Sequence, residues 1–185
     1  MSRAKAELRQ RLLSARRELD ASSRRACSAA IVERVAALPA FSMSRAVLTY
    51  RAIGAEVDPD GVARLASARG MPVYEAASAA GPISWSRAGE PLLDEAAIRR
   101  QVPEGAVLVL VPGVAFDEAG WRLGRGGGFY DRALAALRST GSVCAVGLAY
   151  EMQIVAEVPH EAWDQGMDVV VTERRLLRGG IEDRR

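Results

Sequence analysis

The sequence predicts an α/β protein with a largely parallel central sheet covered on both faces. Three observations lead there. Strand-like and helix-like segments alternate along most of the chain, as in folds whose parallel strands are joined through helices. The clearest strand, Val107 to Val111, is apolar at all five positions and mostly β-branched, which suits a strand buried on both sides. Helix caps and breakers punctuate the segments between.

Taken in order, residues 3–19 read as an amphipathic helix, because Leu8, Leu12, Ala15 and Leu19 recur at helical spacing. A second helix runs from about residue 23 to 38, with Ser22 or Ser23 as cap and Pro39 as stop. Ala46 to Tyr50 reads as a buried strand, and Asp58-Pro59 then opens a helix that Gly70 closes. Met71 to Tyr74 and Ile83 to Trp85 are short strand candidates, followed by the 107–111 strand, entered after Pro103 and left at Pro112. A helix at about 128–138 and strands at 143–148 and 168–172 complete the alternation. No repeat or linker divides the chain, so residues 1–185 read as one domain, with residues 174–185 expected to fray.

Composition narrows the function classes. A net charge of +2 is too small to announce a nucleic-acid partner but suits a small anionic ligand. Cys27 and Cys144 show no metal or redox spacing and read as buried apolar residues of a reducing compartment. The charged N-terminus lacks the apolar core of a signal peptide, and the longest apolar run is broken at Pro112-Gly113, so the expected setting is cytoplasmic, with no membrane partner. Arginine outnumbers lysine 24 to one, which singles out Lys5. At roughly 100° per residue, Lys5, Arg9 and Arg16 fall on one stripe bordering the apolar face of the first helix. By itself the stripe reads as a solvated flank with snorkelling side chains.

Chemistry is expected at the carboxyl ends of the strands. After the 107–111 strand, residues 124–128 hold four glycines in five positions, opening the predicted 128–138 helix. Such a run lets successive N–H groups converge on an anion, and the helix adds its unsatisfied donors and dipole. Arg122, Arg125 and Arg132 reinforce the positive field. The run is no Walker loop, lacking Gly-Lys-Ser/Thr, and no dinucleotide fingerprint, since Phe129 stands where the third glycine belongs. Asp131 has two readings: a Mg²⁺ ligand beside phosphate oxygens, or a helix N-terminal carboxylate complementing the dipole.

With these residues in view, the sequence resembles the 5-formyltetrahydrofolate cyclo-ligase family, also called 5,10-methenyltetrahydrofolate synthetases. The resemblance rests on Arg122-Leu123-Gly124-Arg125-Gly126-Gly127-Gly128-Phe129-Tyr130-Asp131, led by Pro112-Gly113 and Phe116-Asp117. It rests also on Lys5 with Arg9, on Glu56 within Gly54-Ala55-Glu56-Val57-Asp58, and on Val158-Pro159 followed by Asp164, Asp168 and Thr172-Glu173. It implies a three-layer α/β sandwich with a Rossmann-like sheet. It further implies that Lys5, Arg9 and residues 122–130 hold the triphosphate of ATP, with Arg125 and Tyr130 as catalytic residues. Glu56 and Arg51 would contact the folate, and Asp131 with Asp164 would hold Mg²⁺. Small molecules, a reduced folate and ATP, would be the partners. One departure is Trp163, where bacterial members often carry a histidine before the aspartate matched by Asp164; His160 reads as an exposed loop residue. Two alternatives stand beside this reading: a phosphosugar isomerase or CoA-transferase relative, which has no use for the Lys5–Arg9 stripe, and a non-catalytic nucleotide- or RNA-binding module.

Overall fold

The computed structural model describes residues 3–77, 82–87, 89–102 and 104–180. Its central sheet has seven strands: β1 (Ser44–Thr49), β2 (Val73–Ala77), β3 (Ser84–Ser86), β4 (Ala106–Pro112), β7 (Val143–Leu148), β8 (Val169–Val171) and β9 (Leu176–Arg178). A separate small hairpin pairs β5 (Ala115–Phe116) with β6 (Arg122–Leu123). The strand order across the sheet is β3-β2-β1-β4-β7-β8-β9. The five inner strands run parallel, and β3 and β9 close the edges antiparallel. The largely parallel α/β architecture expected from the sequence is therefore the observed one.

Burial on both faces explains why the inner strands are apolar at successive positions. Val107, Val109 and Val111 of β4 pack on one side with Leu134 and Leu137 of α6 (Phe129–Thr140) and Ile98 of α5 (Glu95–Gln101). Leu108 and Leu110 face the other side, toward Ile31 and Val35 of α2 (Ala21–Ala36), Phe41 of α3 (Pro39–Met43) and Val62 of α4 (Asp60–Ala68). Each such side chain contributes about 1.5–3 kcal/mol on burial. A third cluster lies outside the sheet, where Leu12 of α1 (Arg3–Glu18) packs on Val114, Ala115, Leu123 and Val158. The first helix thus docks on the β5–β6 hairpin, the element that leads into the glycine run.

Several boundaries differ from the sequence reading. The cap of α2 is Asp20, whose carboxylate accepts from the N–H groups of Ser22 and Ser23 at 2.8 and 2.9 Å, so both serines lie inside the helix. Pro39 does not simply stop α2 but occupies the first turn of α3, where its missing N–H is harmless. Helix α5, capped by Asp94, and the β5–β6 hairpin were not expected. Part of the 174–185 segment is ordered rather than frayed: β9 pairs with β8, placing Leu177 in the core. Pro103 lies outside the described residues. Both cysteines are half-buried free thiols, and burial pushes Cys144 up to about 11. Among the described residues no helix is long and apolar enough to cross a membrane.

The sheet also fixes where a ligand can sit. From β1 the chain proceeds outward through β2 and β3, then returns to the other side of β1 and proceeds through β4 and β7. Strand order therefore reverses between β1 and β4. Loops leaving the carboxyl ends of two such strands diverge and open a crevice. Here those loops carry Glu56 and the glycine run.

Candidate active site

The glycine run joins β6 to α6, and its backbone explains part of its composition. Gly126 and Gly128 have φ of 107° and 61°, a region that no described non-glycine residue occupies. Gly128 is the cap residue of α6 and supplies no side-chain hydrogen bond, so the first-turn N–H groups of the helix have no side-chain cap. Those donors and the positive end of the dipole are open to an anion. The hairpin before the run is held from beneath: buried Asp117 accepts from the N–H groups of Trp121 and Val158, each at 2.9 Å.

Helix α1 brings its cations to this loop. Arg9 donates from Nε to the Gly124 carbonyl at 2.7 Å. Lys5 is buried, with Asp164 at 3.2 Å and Glu161 at 3.7 Å. The stripe does not border the docking face as a solvated flank; Lys5 and Arg16 lie within it. Arg122 is buried too, with both carboxylate oxygens of Asp131 at 3.0 and 3.1 Å from its Nη2. Asp131 also accepts from the Gln165 N–H at 3.1 Å, so the residue after Asp164 touches Asp131. The Tyr130 ring lies 5.7 Å from the Arg122 guanidinium carbon, and burial raises its hydroxyl far above the ordinary value, with Arg122 opposing and Glu56 adding. Tyr130 therefore stays a neutral donor at physiological pH.

Across the crevice, Glu56 is almost saturated. Its Oε1 accepts from Arg125 Nη2 at 2.9 Å and Nε at 3.2 Å, and its Oε2 accepts from the Ile53 N–H at 3.0 Å. The Tyr50 and Tyr150 hydroxyls hold the same turn by donating to the carbonyls of Val57 and Glu56 at 2.8 and 3.2 Å. The glycine-loop arginine and the glutamate expected at a different subsite are thus in direct contact. Arg51 is not drawn in: its side chain is 81 % exposed and pairs with Glu75 of β2 at 2.8 Å. Sequence reasoning assigned Arg16 no site role, yet it reaches Glu56 at 3.8 Å. Its helical phase with Lys5 and Arg9 was the available signal.

A model of the 5-formyltetrahydrofolate cyclo-ligase family matches residues 1–173. The chain belongs to that family. The family's 5-formyltetrahydrofolate cyclo-ligase from Mycolicibacterium smegmatis is 31 % identical over 94 % of this chain and 95 % of its own length. The cyclo-ligase of Escherichia coli K12 is 43 % identical over 88 residues, a match spanning 47 % of this chain and 46 % of that relative. The NMR structure of Aquifex aeolicus 5,10-methenyltetrahydrofolate synthetase superposes with a TM-score of 0.75 at 28 % identity, covering 95 % of this chain and 93 % of the other.

Within this family member the C-terminal signature divides into two parts. Asp168 accepts from the Ala145 N–H at 2.6 Å and pairs with Arg138 at 3.1 Å, while Thr172 donates to Glu151 at 2.6 Å. Those residues fasten β8 to its surroundings. Asp164 lies instead beside Lys5, and its carboxylate also accepts from the Glu161 N–H at 2.8 Å, closing a tight turn. Trp163, within that turn, is 69 % exposed, and Asp164 keeps its contacts to Lys5 and the Glu161 N–H. His160 is exposed as expected and stacks on Trp121 with ring centroids 3.8 Å apart. Among the described residues no three His, Cys, Asp or Glu side chains gather as a metal cluster. Mg²⁺ needs fewer, since one or two carboxylates with phosphate oxygens and water satisfy it. Asp131 and Asp164 are each held by a cation, Arg122 and Lys5 respectively.

Proposed function

We propose that the protein uses ATP and Mg²⁺ to convert 5-formyltetrahydrofolate to 5,10-methenyltetrahydrofolate, releasing ADP and phosphate. The observation that carries this reading is the contact between Arg125 on the glycine run and Glu56 on the β1 loop. It joins an anion site and a separate acceptor site across one crevice, as a reaction between a triphosphate and a second substrate requires. The formyl oxygen is a poor leaving group. Its attack on the γ-phosphorus breaks the bond to ADP and converts that oxygen to a phosphate ester. N10 then attacks the formyl carbon and loses its proton, and the C–O bond breaks with phosphate departing.

The chain's part is positioning and charge neutralisation. Lys5, Arg9, Arg122 and Arg125, with the glycine N–H groups and the α6 N-terminus, would bind the triphosphate. Arg125 and Tyr130 would donate to oxygens that gain charge, and Glu56 would accept from the folate. Asp131 and Asp164 would hold Mg²⁺, which neutralises phosphate charge when bound. The free thiols suit a reducing cytoplasm. A phosphosugar isomerase or an RNA-binding module leaves the buried α1 cations without a task. The test is to supply 5-formyltetrahydrofolate, ATP and Mg²⁺ and follow methenyltetrahydrofolate by absorbance. Product formation that stops on omitting ATP or on chelation is expected; no product overturns the activity, and turnover unaffected by chelation overturns the metal assignment.

Lys5→Ala is expected to raise the KM for ATP about 10- to 100-fold, the equivalent of losing one charge-assisted hydrogen bond of roughly 1.5–3 kcal/mol. Part of that effect would come through Asp164, which loses its partner at 3.2 Å. An unchanged KM for ATP in a normally stable variant would confine Lys5 to fastening α1.

A further inference from the structure

Glu56 is served by two arginines of opposite character. Arg125 sits on the glycine run with its side chain 52 % exposed, whereas the Arg16 side chain is 4 % exposed at the end of α1. Arg16 is also anchored: its Nη1 donates to the Gly113 carbonyl at 3.0 Å, just beyond β4. It therefore bridges the β4 side of the crevice to the β1 loop. The carboxylate between them is itself 8 % exposed.

We propose that Arg16 is the positioning residue for Glu56, the fixed counter-ion that remains when Arg125 turns to the nucleotide. The proposal rests on reading Glu56 as the folate acceptor. An exposed arginine on a phosphate-binding loop exchanges a carboxylate for a triphosphate, which offers more negative charge to the same guanidinium. That exchange vacates the Arg125 side of Oε1, the position a folate donor needs. It also removes the closer of the two cations from a buried carboxylate, where a charge left without a counter-ion is costly. Arg16 prevents this, because its bond to Gly113 and its burial keep it out of reach of the phosphates. Nucleotide binding then exposes an acceptor that still has a counter-ion and is still in place.

Arg16→Met tests the assignment without orphaning the main chain, since Gln153 Nε2 also donates to the Gly113 carbonyl at 2.9 Å. Calorimetric titration measures 5-formyltetrahydrofolate binding with and without a non-hydrolysable ATP analogue and Mg²⁺, and analogue binding alone. In the wild type, the analogue should leave folate affinity equal or tighter. In Arg16→Met it should weaken folate binding about tenfold or more, a coupling that by reciprocity appears in analogue binding only when folate is present. Without nucleotide, folate should bind the variant within about threefold of wild type, because Arg125 still caps Glu56. Arg16→Lys, a single point charge that cannot bridge both partners, should fall between, and it carries the test alone if the methionine variant does not fold. Equal weakening of both ligands under every condition would make Arg16 a mere prop for α1 and overturn the proposal. So would a folate affinity indifferent to nucleotide in both variants. Wild-type protein that binds neither ligand would instead bring down the proposed activity, and this inference with it.

Discussion

Asp131→Ala is expected to lower stability by about 3 kcal/mol and to abolish turnover, two losses with separable causes. The stability loss comes from Arg122, whose side chain is 5 % exposed and whose Nη2 takes both oxygens of Asp131. Its Nε is buried without a hydrogen-bond partner among the described residues, and its Nη1 has only a long contact of 3.4 Å to the Pro112 carbonyl. Removing Asp131 therefore strands a buried guanidinium, which costs about 3–5 kcal/mol for a fully buried pair; partial exposure of Asp131 places the effect at the lower end. Loss of an acidic residue from the first turn of α6 adds roughly 0.3–1 kcal/mol. For a domain of this size the sum lowers Tm by about 6–15 °C.

Asp131→Asn separates the two roles. An amide oxygen can still accept from Arg122 and from the Gln165 N–H, so the variant should lose much less stability. It cannot supply the charge that an incoming Mg²⁺ requires, so turnover should still fall by about 100-fold or more. Thermal melts of both variants beside the product-absorbance assay decide the matter. A stable Asp131→Ala would deny the structural pair, and a fully active Asp131→Asn would remove Asp131 from the metal site.

How much of this was legible in the sequence depends on the range over which each feature is encoded. The inner strands were readable because burial on both faces leaves a local mark, five consecutive apolar residues in β4. The docking of α1 was readable in part: periodicity put Lys5, Arg9 and Arg16 on one stripe. Periodicity cannot say what a stripe meets, and the Arg16 partners lie 40 and 97 positions away at Glu56 and Gly113. Helix α5 escaped because its seven residues barely complete two turns, too few for a period to show. Strand β9 escaped because an edge strand buries little; Leu177 is inside while its neighbours Leu176 and Arg178 are exposed. The family resemblance supplied Glu56 and Asp164 as residues of interest. It gave no hint that each is engaged by a cation, Glu56 by Arg125 and Asp164 by Lys5.

Gly127→Val is expected to abolish nucleotide binding while leaving the protein folded. The reason differs from one based on backbone strain, because the positive φ values belong to Gly126 and Gly128, not to Gly127. A Cβ at 127 would instead collide with the Phe129 ring, with Cδ2 at 2.7 Å. That ring is 36 % exposed, so it can swing outward, and the fold should lose only about 1 kcal/mol. The isopropyl group cannot swing aside in the same way. It stands over the run where phosphate oxygens must approach the backbone N–H groups and the open first turn of α6. Wild type at ATP concentrations near 100 times Kd should gain about 2.7 kcal/mol by mass action, a rise of about 5–11 °C in Tm. The variant should melt at one temperature with or without ATP and Mg²⁺. Gly128→Val serves as the contrast, since a β-branched residue at φ 61° is strained and should lower the ligand-free melting temperature as well. A Gly127→Val protein still stabilised by ATP would move the phosphate site away from residues 124–128, and the nucleotide half of the proposed reaction would have to be sought elsewhere in the crevice.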